Sequence, residues 1–93
     1  MSSKSESQRN LKSVFQAVVG TDIQEWKMTR ELAGAKGVVV RQFEHNATKD
    51  KVKIVETNKY DPIDEMDVTY MNVSGSYKGR DVKGTLLIKP MID

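Results

Sequence analysis

The stretch Lys51-Val-Lys-Ile-Val-Glu-Thr57 places apolar residues between charged or polar ones with a period close to two, and this pattern decides the fold class. Successive side chains of a β-strand point to opposite faces, so the pattern predicts a strand with one buried face. Residues 67–75 and 82–89 form two similar runs. The Gly, Asn and Asp residues around these runs favour short turns, which make neighbouring strands antiparallel. We therefore expect a turn at 46–50, a longer loop at 58–64 and a hairpin loop at 77–81.

Residues 22–33 leave two interpretations open. A helix is favoured by the run Thr21-Asp-Ile-Gln24, which has capping-box spacing, and by Gly34 as a stop. A strand is favoured by period two, which places Trp26, Met28, Arg30 and Leu32 on one face, with Arg30 as an anomaly. We favour the strand, joined by a hairpin at 33–37 to a second strand at 38–44. Trp26 and Phe43 are expected in the core, whereas Tyr70 and Tyr77 could be buried or exposed.

An amphipathic helix precedes these strands. Its apolar residues lie three and four positions apart, on one stripe: Leu11, Val14, Phe15, Val18 and Val19. Ser3-Lys-Ser-Glu6 and Ser5-Glu-Ser-Gln8 both fit a capping box, and Gly20 suits the left-handed residue after a helix. The helix is predicted over about residues 6–19. The sequence as a whole predicts an α+β fold in which this helix packs on a four- to five-stranded antiparallel β-meander, with residues 1–5 flexible and residues 6–93 forming one domain.

Composition narrows the class of protein. The 93 residues are 38% hydrophobic and 30% charged, as in an ordinary globular domain. The chain has no cysteine, which excludes disulfides and thiolate chemistry and is compatible with a reducing compartment. Its first ten residues are polar, unlike a signal peptide, and its apolar runs are too short to span a bilayer. We expect a soluble cytoplasmic protein with no bound cofactor and no membrane association.

Catalytic and metal-binding patterns are weak. His45 is the single imidazole and is expected to be an exposed turn residue. An acidic loop, formed by Asp61, Asp64, Glu65 and Asp67, could bind a basic partner or a hard cation, but it lacks the rhythm of a calcium loop. The glycine-rich run at 75–84 lacks the Gly-Lys-Ser/Thr ending of a phosphate-binding loop. These residues predict neither an enzyme nor a metal site.

Charge is segregated along the chain, although the net charge is only +2. Residues 36–53 hold five Lys or Arg against two Asp or Glu, and residues 54–75 hold one against five. A basic hairpin, formed by Tyr77, Lys78, Arg80 and Lys83, follows the acidic loop. Our first hypothesis is therefore a small non-enzymatic protein-interaction module, which binds a protein partner or itself as a homo-oligomer. It would use the free sheet face, an edge strand, or the acidic loop and basic hairpin together.

A nucleic-acid-binding protein is the alternative hypothesis. Its contacts would be the basic hairpin together with Lys36, Arg41, Lys49, Lys51, Lys53 and Tyr70. Cations interleaved with exposed aromatic rings on a sheet can hold phosphates while bases stack on the rings. One structural question separates the two hypotheses: whether Tyr70, Tyr77 and these cations share an exposed face.

Overall fold

A computed structural model describes the backbone of residues 3–34 and 37–89, and the side chains of residues 9–34 and 37–89. Helix α1 (Ser3–Val14) continues into a π-helical turn (Phe15–Val19), which is followed by a 3-10 turn (Ile23–Glu25). The strands are β1 (Trp26–Ala33), β2 (Val38–His45), β3 (Lys51–Asp61), β4 (Met66–Tyr77) and β5 (Arg80–Ile88). They form one sheet in the order β1-β2-β3-β4-β5, and every neighbouring pair is antiparallel, which confirms the predicted meander.

Among the described residues, no helix combines the length and the apolar content that crossing a lipid bilayer requires.

The helical segment ends where the sequence predicts. Gly20 has a φ of 86° and donates its N–H to the carbonyl oxygen of Phe15 over 2.7 Å. Only glycine adopts this left-handed conformation at no steric cost, which explains the stop. The helix begins at Ser3 rather than near residue 6. The side chains of the two expected capping boxes, and Met1 and Ser2 of the expected flexible N-terminus, lie outside the described residues.

The two faces of the sheet differ in what they contact. The core face carries Phe43, Ile54 and Val73, which are buried in one cluster with Val14 and Phe15 of the helical segment. The Phe15 and Phe43 rings meet edge-on with centroids 5.0 Å apart. The opposite face, here called the open face, carries Gln42, Lys53 and Ser74, and no residue of the core cluster comes from it.

Strand β1 confirms the strand interpretation of residues 26–33 but corrects the predicted faces. A bulge shifts the register between Met28 and Arg30. Trp26 and Met28 therefore lie on the core face, whereas Arg30 and Leu32 lie on the open face opposite Gln42 and Val40. The predicted capping box is replaced by Asp22, which accepts a hydrogen bond from the N–H of Gln24 over 2.9 Å.

The ends of the strands also differ from the prediction. β3 and β4 pair as far as Asp61 and Met66, so the predicted loop at 58–64 shrinks to residues 62–65. The Thr69 hydroxyl donates to the Asn58 side chain over 2.6 Å, and this cross-strand pair outweighs the weak strand propensity of asparagine. The predicted hairpin loop is a two-residue turn of Lys78 and Gly79, with φ angles of 51° and 76°. Two consecutive positive φ angles are typical of a type I′ hairpin turn.

Candidate functional site

A row of cations crosses the open face. Arg30, Lys53 and Lys83 come from β1, β3 and β5, and we call them the basic row. Gln42 and Ser74 lie between them, because the register pairs Arg30 with Gln42, Gln42 with Lys53, Lys53 with Ser74 and Ser74 with Lys83. All five residues are exposed. Since paired strands lie about 4.8 Å apart, consecutive cations start from backbones about 10 Å apart.

The basic row is not neutralised within the described part of the chain. The ion pairs found there join Arg41 to Glu31 and Glu56, His45 to Glu25, and Lys89 to Asp64. No described carboxylate lies within ion-pair distance of a basic-row cation. Arg30, Lys53 and Lys83 therefore remain available to an anionic group from outside.

An apolar patch lies beside the basic row on the same face. It consists of Leu32, Val38, Val40, Val55, Tyr70 and Leu87, which the register brings together across all five strands. Leu32 and Leu87 remain 49% and 45% exposed, and the other four side chains are half-buried. The apolar patch and the basic row thus lie next to each other on one face, which is the make-up of many protein-binding surfaces.

Two shallow depressions flank Lys53. The larger, of about 490 Å³, is lined by Thr29, Gln42, Glu44, Lys51, Lys53 and Ser74 among others. The smaller, of about 370 Å³, lies between Lys53 and Lys83 over Asn72 and Thr85. The Thr85 hydroxyl donates to the Asn72 side chain over 2.6 Å, so these two groups already satisfy each other. The larger depression can seat one side chain of a partner beside a cation.

The acidic loop lies at one end of the molecule. Asp61 accepts a hydrogen bond from the N–H of Ile63 over 2.9 Å, which holds the turn, and Asp64 forms a 2.8 Å ion pair with Lys89. Within this ion pair, Lys89 donates a hydrogen bond to the Asp64 carboxylate, which raises the pKa of the Lys89 ammonium. Ile63 lies among these acids and is 89% exposed. A large apolar side chain that is almost wholly exposed on a tight turn is a candidate contact for a partner.

The structure separates the residues of the predicted basic hairpin. Tyr77 lies in the core at 6% exposure, which corrects its expected place on a binding surface. Lys78 is exposed at the turn with its ammonium 5.3 Å from the Tyr77 ring centroid. Arg80 lies on the core-face side and Lys83 on the open face, because the register pairs Arg80 with Tyr77 and Lys83 with Ser74. The hairpin and the acidic loop lie at opposite ends of β4.

The predicted nucleic-acid contacts are separated too. Lys51, Lys53 and Tyr70 share the open face, and Lys49 lies in the β2–β3 turn. Lys36 lies outside the described residues. Arg41 is buried on the core face rather than exposed, because Glu31 and Glu56 bind its guanidinium over 2.8 and 3.0 Å. Burial lowers the pKa of Arg41, but the hydrogen bonds that Arg41 donates to these carboxylates outweigh this effect and raise the pKa above its usual value.

His45 is buried, which corrects the expectation of an exposed turn residue. Its ring packs between Trp26 and Tyr77, with centroids 5.0 and 5.1 Å away. Nδ1 accepts the backbone N–H groups of Ala47 and Thr48, each over 3.1 Å, so the ring proton is carried by Nε2 and donated to Glu25. Both ring nitrogens are therefore engaged inside the chain.

Sequence reasoning missed the apolar patch, although a signal for it was present. Runs such as Val38-Val39-Val40 and Leu86-Leu87-Ile88 are apolar at consecutive positions, so they place apolar side chains on both faces of the sheet. Only the register shows that these runs lie at the same level of the sheet, on β2 and β5, with β3 and β4 between them.

Comparison of the chain with protein-family models, with curated proteins and with solved structures found no match. Among residues 3–34 and 37–89, no three His, Asp or Glu side chains are grouped so that they could hold a metal ion.

Proposed function

We propose that this protein is a non-enzymatic protein-interaction module that binds its partner through the open face. The observation that carries the proposal is the apolar patch next to a basic row that has no ion-pair partner among the described residues. An apolar surface of this kind gains free energy when a partner covers it, and flanking cations select a partner with an acidic margin. The engagement of both nitrogens of His45 supports the non-enzymatic part of the proposal.

The sheet offers a matched control for testing this face. Leu32 and Leu87 lie on the open face, whereas Met28, which is 46% exposed, lies on the core-face side of the same edge strand as Leu32. The experiment captures proteins from an extract of the source cells on immobilised wild type, a Leu32→Lys/Leu87→Lys variant and a Met28→Lys variant. We expect the wild type and Met28→Lys to retain the same partner and the double variant to lose it. Equal retention by all three would contradict the proposal.

Binding of single-stranded nucleic acid is a second candidate function. The specific observation in its favour is that the basic row and Tyr70 share the open face. The Lys59 ammonium lies 5.9 Å from the Tyr70 ring centroid, however, so a cation already lies over one side of the one aromatic ring that the described residues place on this face. Three phosphate contacts would give a slope of about −2 in log affinity against log salt, measured by fluorescence anisotropy with DNA and RNA oligonucleotides. A Lys53→Ala/Lys83→Ala variant would then show a shallower slope.

The cytoplasm is the compartment we propose for this activity. The proposal is supported by the absence of cysteine, which fits a reducing environment. Fractionation of the source cells followed by immunoblotting tests it, and recovery in an exported fraction would contradict it.

A further inference from the structure

We propose that the partner on the open face is a second copy of this chain, placed by a two-fold axis so that the acidic loop of each copy lies over the basic row of the other. The inference rests on the proposed function, because it names the partner of that face. In this arrangement the two sheets face each other with their strands antiparallel, and the axis lies between them, perpendicular to the strands.

The charges are spaced for this arrangement. On β3, Lys53 and Asp61 lie four residues on either side of Thr57, and all three side chains share the open face because their separations are even. Four residues of strand correspond to about 13 Å. A two-fold axis over Thr57 therefore brings Lys53 of one copy opposite Asp61 of the other, and it does so twice. Such a surface is self-complementary, as an isologous interface requires.

The residues level with the axis are those that benefit from being covered. Val38, Thr57, Tyr70 and Leu87 form one transverse row, since the register pairs Val38 with Thr57, Thr57 with Tyr70 and Tyr70 with Leu87. In the dimer this row meets its own copy, so Val38, Tyr70 and Leu87 each meet the same side chain of the other copy, and Thr57 meets Thr57 on the axis. Aligned packing of two sheets at about 10 Å is the usual arrangement of a β-sandwich.

Ile63 supplies a contact at each end of the interface. It lies beyond Asp61 at the tip of the acidic loop and is 89% exposed. The same two-fold axis places that tip over the 490 Å³ depression beside Lys53. An apolar side chain flanked by carboxylates would thus meet a depression lined by two cations, Lys51 and Lys53, and by one carboxylate, Glu44. This complementarity identifies a second copy as the occupant, because one chain carries both halves of it.

The area of the face is sufficient for a specific dimer. Five strands at about 4.8 Å and eight residues at about 3.3 Å give roughly 600 Å² on each copy, or about 1,200 Å² in total. Specific interfaces begin near this size, so we expect a reversible dimer rather than an obligate one.

A charge exchange tests the proposed pairing. The row variant is Lys53→Glu/Lys83→Glu, and the loop variant is Asp64→Lys/Glu65→Lys. Asp61 is left unchanged in the loop variant because its side chain holds the turn. Each variant alone places like charges opposite each other, so sedimentation equilibrium should show dimerisation at least about tenfold weaker than in the wild type. In an equimolar mixture, the new carboxylates of the row variant face the new ammonium groups of the loop variant at one end, and the other end keeps its native charges. The mixture should therefore dimerise clearly more tightly than either variant alone, but less tightly than the wild type because Lys53→Glu still faces Asp61. Urea unfolding of each variant checks that it remains folded.

A wild type that stays monomeric up to about 1 mM, or a mixture that is no better than its components, would overturn the inference. Chemical cross-linking provides an independent measurement, since the chain has no cysteine of its own. A short bifunctional maleimide should join two copies of Thr57→Cys, because facing residues of two packed sheets lie too far apart for a disulfide. It should not join two copies of Lys12→Cys, which is at an exposed helix position. Equal cross-linking of the Thr57→Cys and Lys12→Cys variants would also overturn the proposed dimer. If the chain proves monomeric while a captured partner still depends on Leu32 and Leu87, only the identity of the partner is wrong and the proposed function stands.

Discussion

At the scale of single residues, Arg41 joins three strands. Its guanidinium contacts Glu31 on β1 and Glu56 on β3, and its side chain is 8% exposed. A buried charge is tolerated only when it is paired and hydrogen-bonded, and Arg41 meets both conditions. Burial lowers the pKa of Arg41, but the two carboxylates outweigh this effect and raise the pKa above its usual value.

Replacing Arg41 with leucine should lower the free energy of unfolding by about 3 kcal/mol, because Glu56 would remain largely buried without its partner. Urea denaturation followed by Trp26 fluorescence measures the change. Arg30→Leu is the matched control, since Arg30 is exposed and is expected to change stability by less than about 0.5 kcal/mol. If both variants unfold at the same urea concentration, the ion-pair network does not stabilise the fold.

Asp50 makes the stability of the fold depend on pH in the acidic range. It accepts the backbone N–H of Lys78 and the hydroxyl of Thr48, over 2.8 and 2.7 Å, and these hydrogen bonds lower its pKa below the usual 3.8. A lowered folded-state pKa contributes stability that is present above pH 3.8 and is lost as the pH falls through the folded-state value. The urea midpoints of wild type and Asp50→Asn should therefore differ at pH 6, and the difference should shrink below pH 3.8. A difference that is independent of pH would contradict this role.

At the scale of elements, the sequence predicts the number and order of strands because turn residues separate period-two runs. It does not predict the bulge in β1, which depends on pairing with β2. Without the bulge, Arg30 would lie on the core face, which is the anomaly in the strand interpretation of this segment. With it, Glu31 lies on the core face and binds Arg41. The extension of β3 to Asp61 likewise depends on cross-strand contacts, which local propensity does not contain.

The contact between the helical segment and β5 can be tested by a pair of substitutions. A Cβ atom built on Gly84 would lie 3.0 Å from a methyl group of Val18, so glycine permits the close approach. Gly84→Ala should lower the free energy of unfolding by about 1 kcal/mol, and Val18→Ala by about as much through lost packing. The double variant should cost clearly less than the sum, because each change makes room for the other. Strict additivity, measured by urea denaturation, would show that the two residues do not contact each other.

At the scale of the whole molecule, the sequence leaves three candidate surfaces: the free sheet face, an edge strand, and the acidic loop with the basic hairpin. The open face is the one that we propose as the binding surface. Charge order along the chain correctly indicated an acidic loop and a basic segment. It could not show that the cations aligned in one row are Arg30, Lys53 and Lys83, because they come from three non-adjacent strands. Nor could it show that Tyr77 and Arg41 are buried, since a strand position is assigned to a face only by register.

Self-association through the open face should make thermal stability depend on protein concentration. Because the dimer is folded and the unfolded chains are separate, mass action favours the folded state as concentration rises, by roughly 3 °C in Tm for each tenfold increase. Calorimetry over a range of concentrations measures this dependence. Leu32→Lys/Leu87→Lys should abolish it and leave the Tm at the lowest concentration close to that of the wild type, because both side chains are about half exposed in the single copy. Met28→Lys, on the other face, should keep the dependence. A wild-type Tm that does not change with concentration would contradict self-association through the open face.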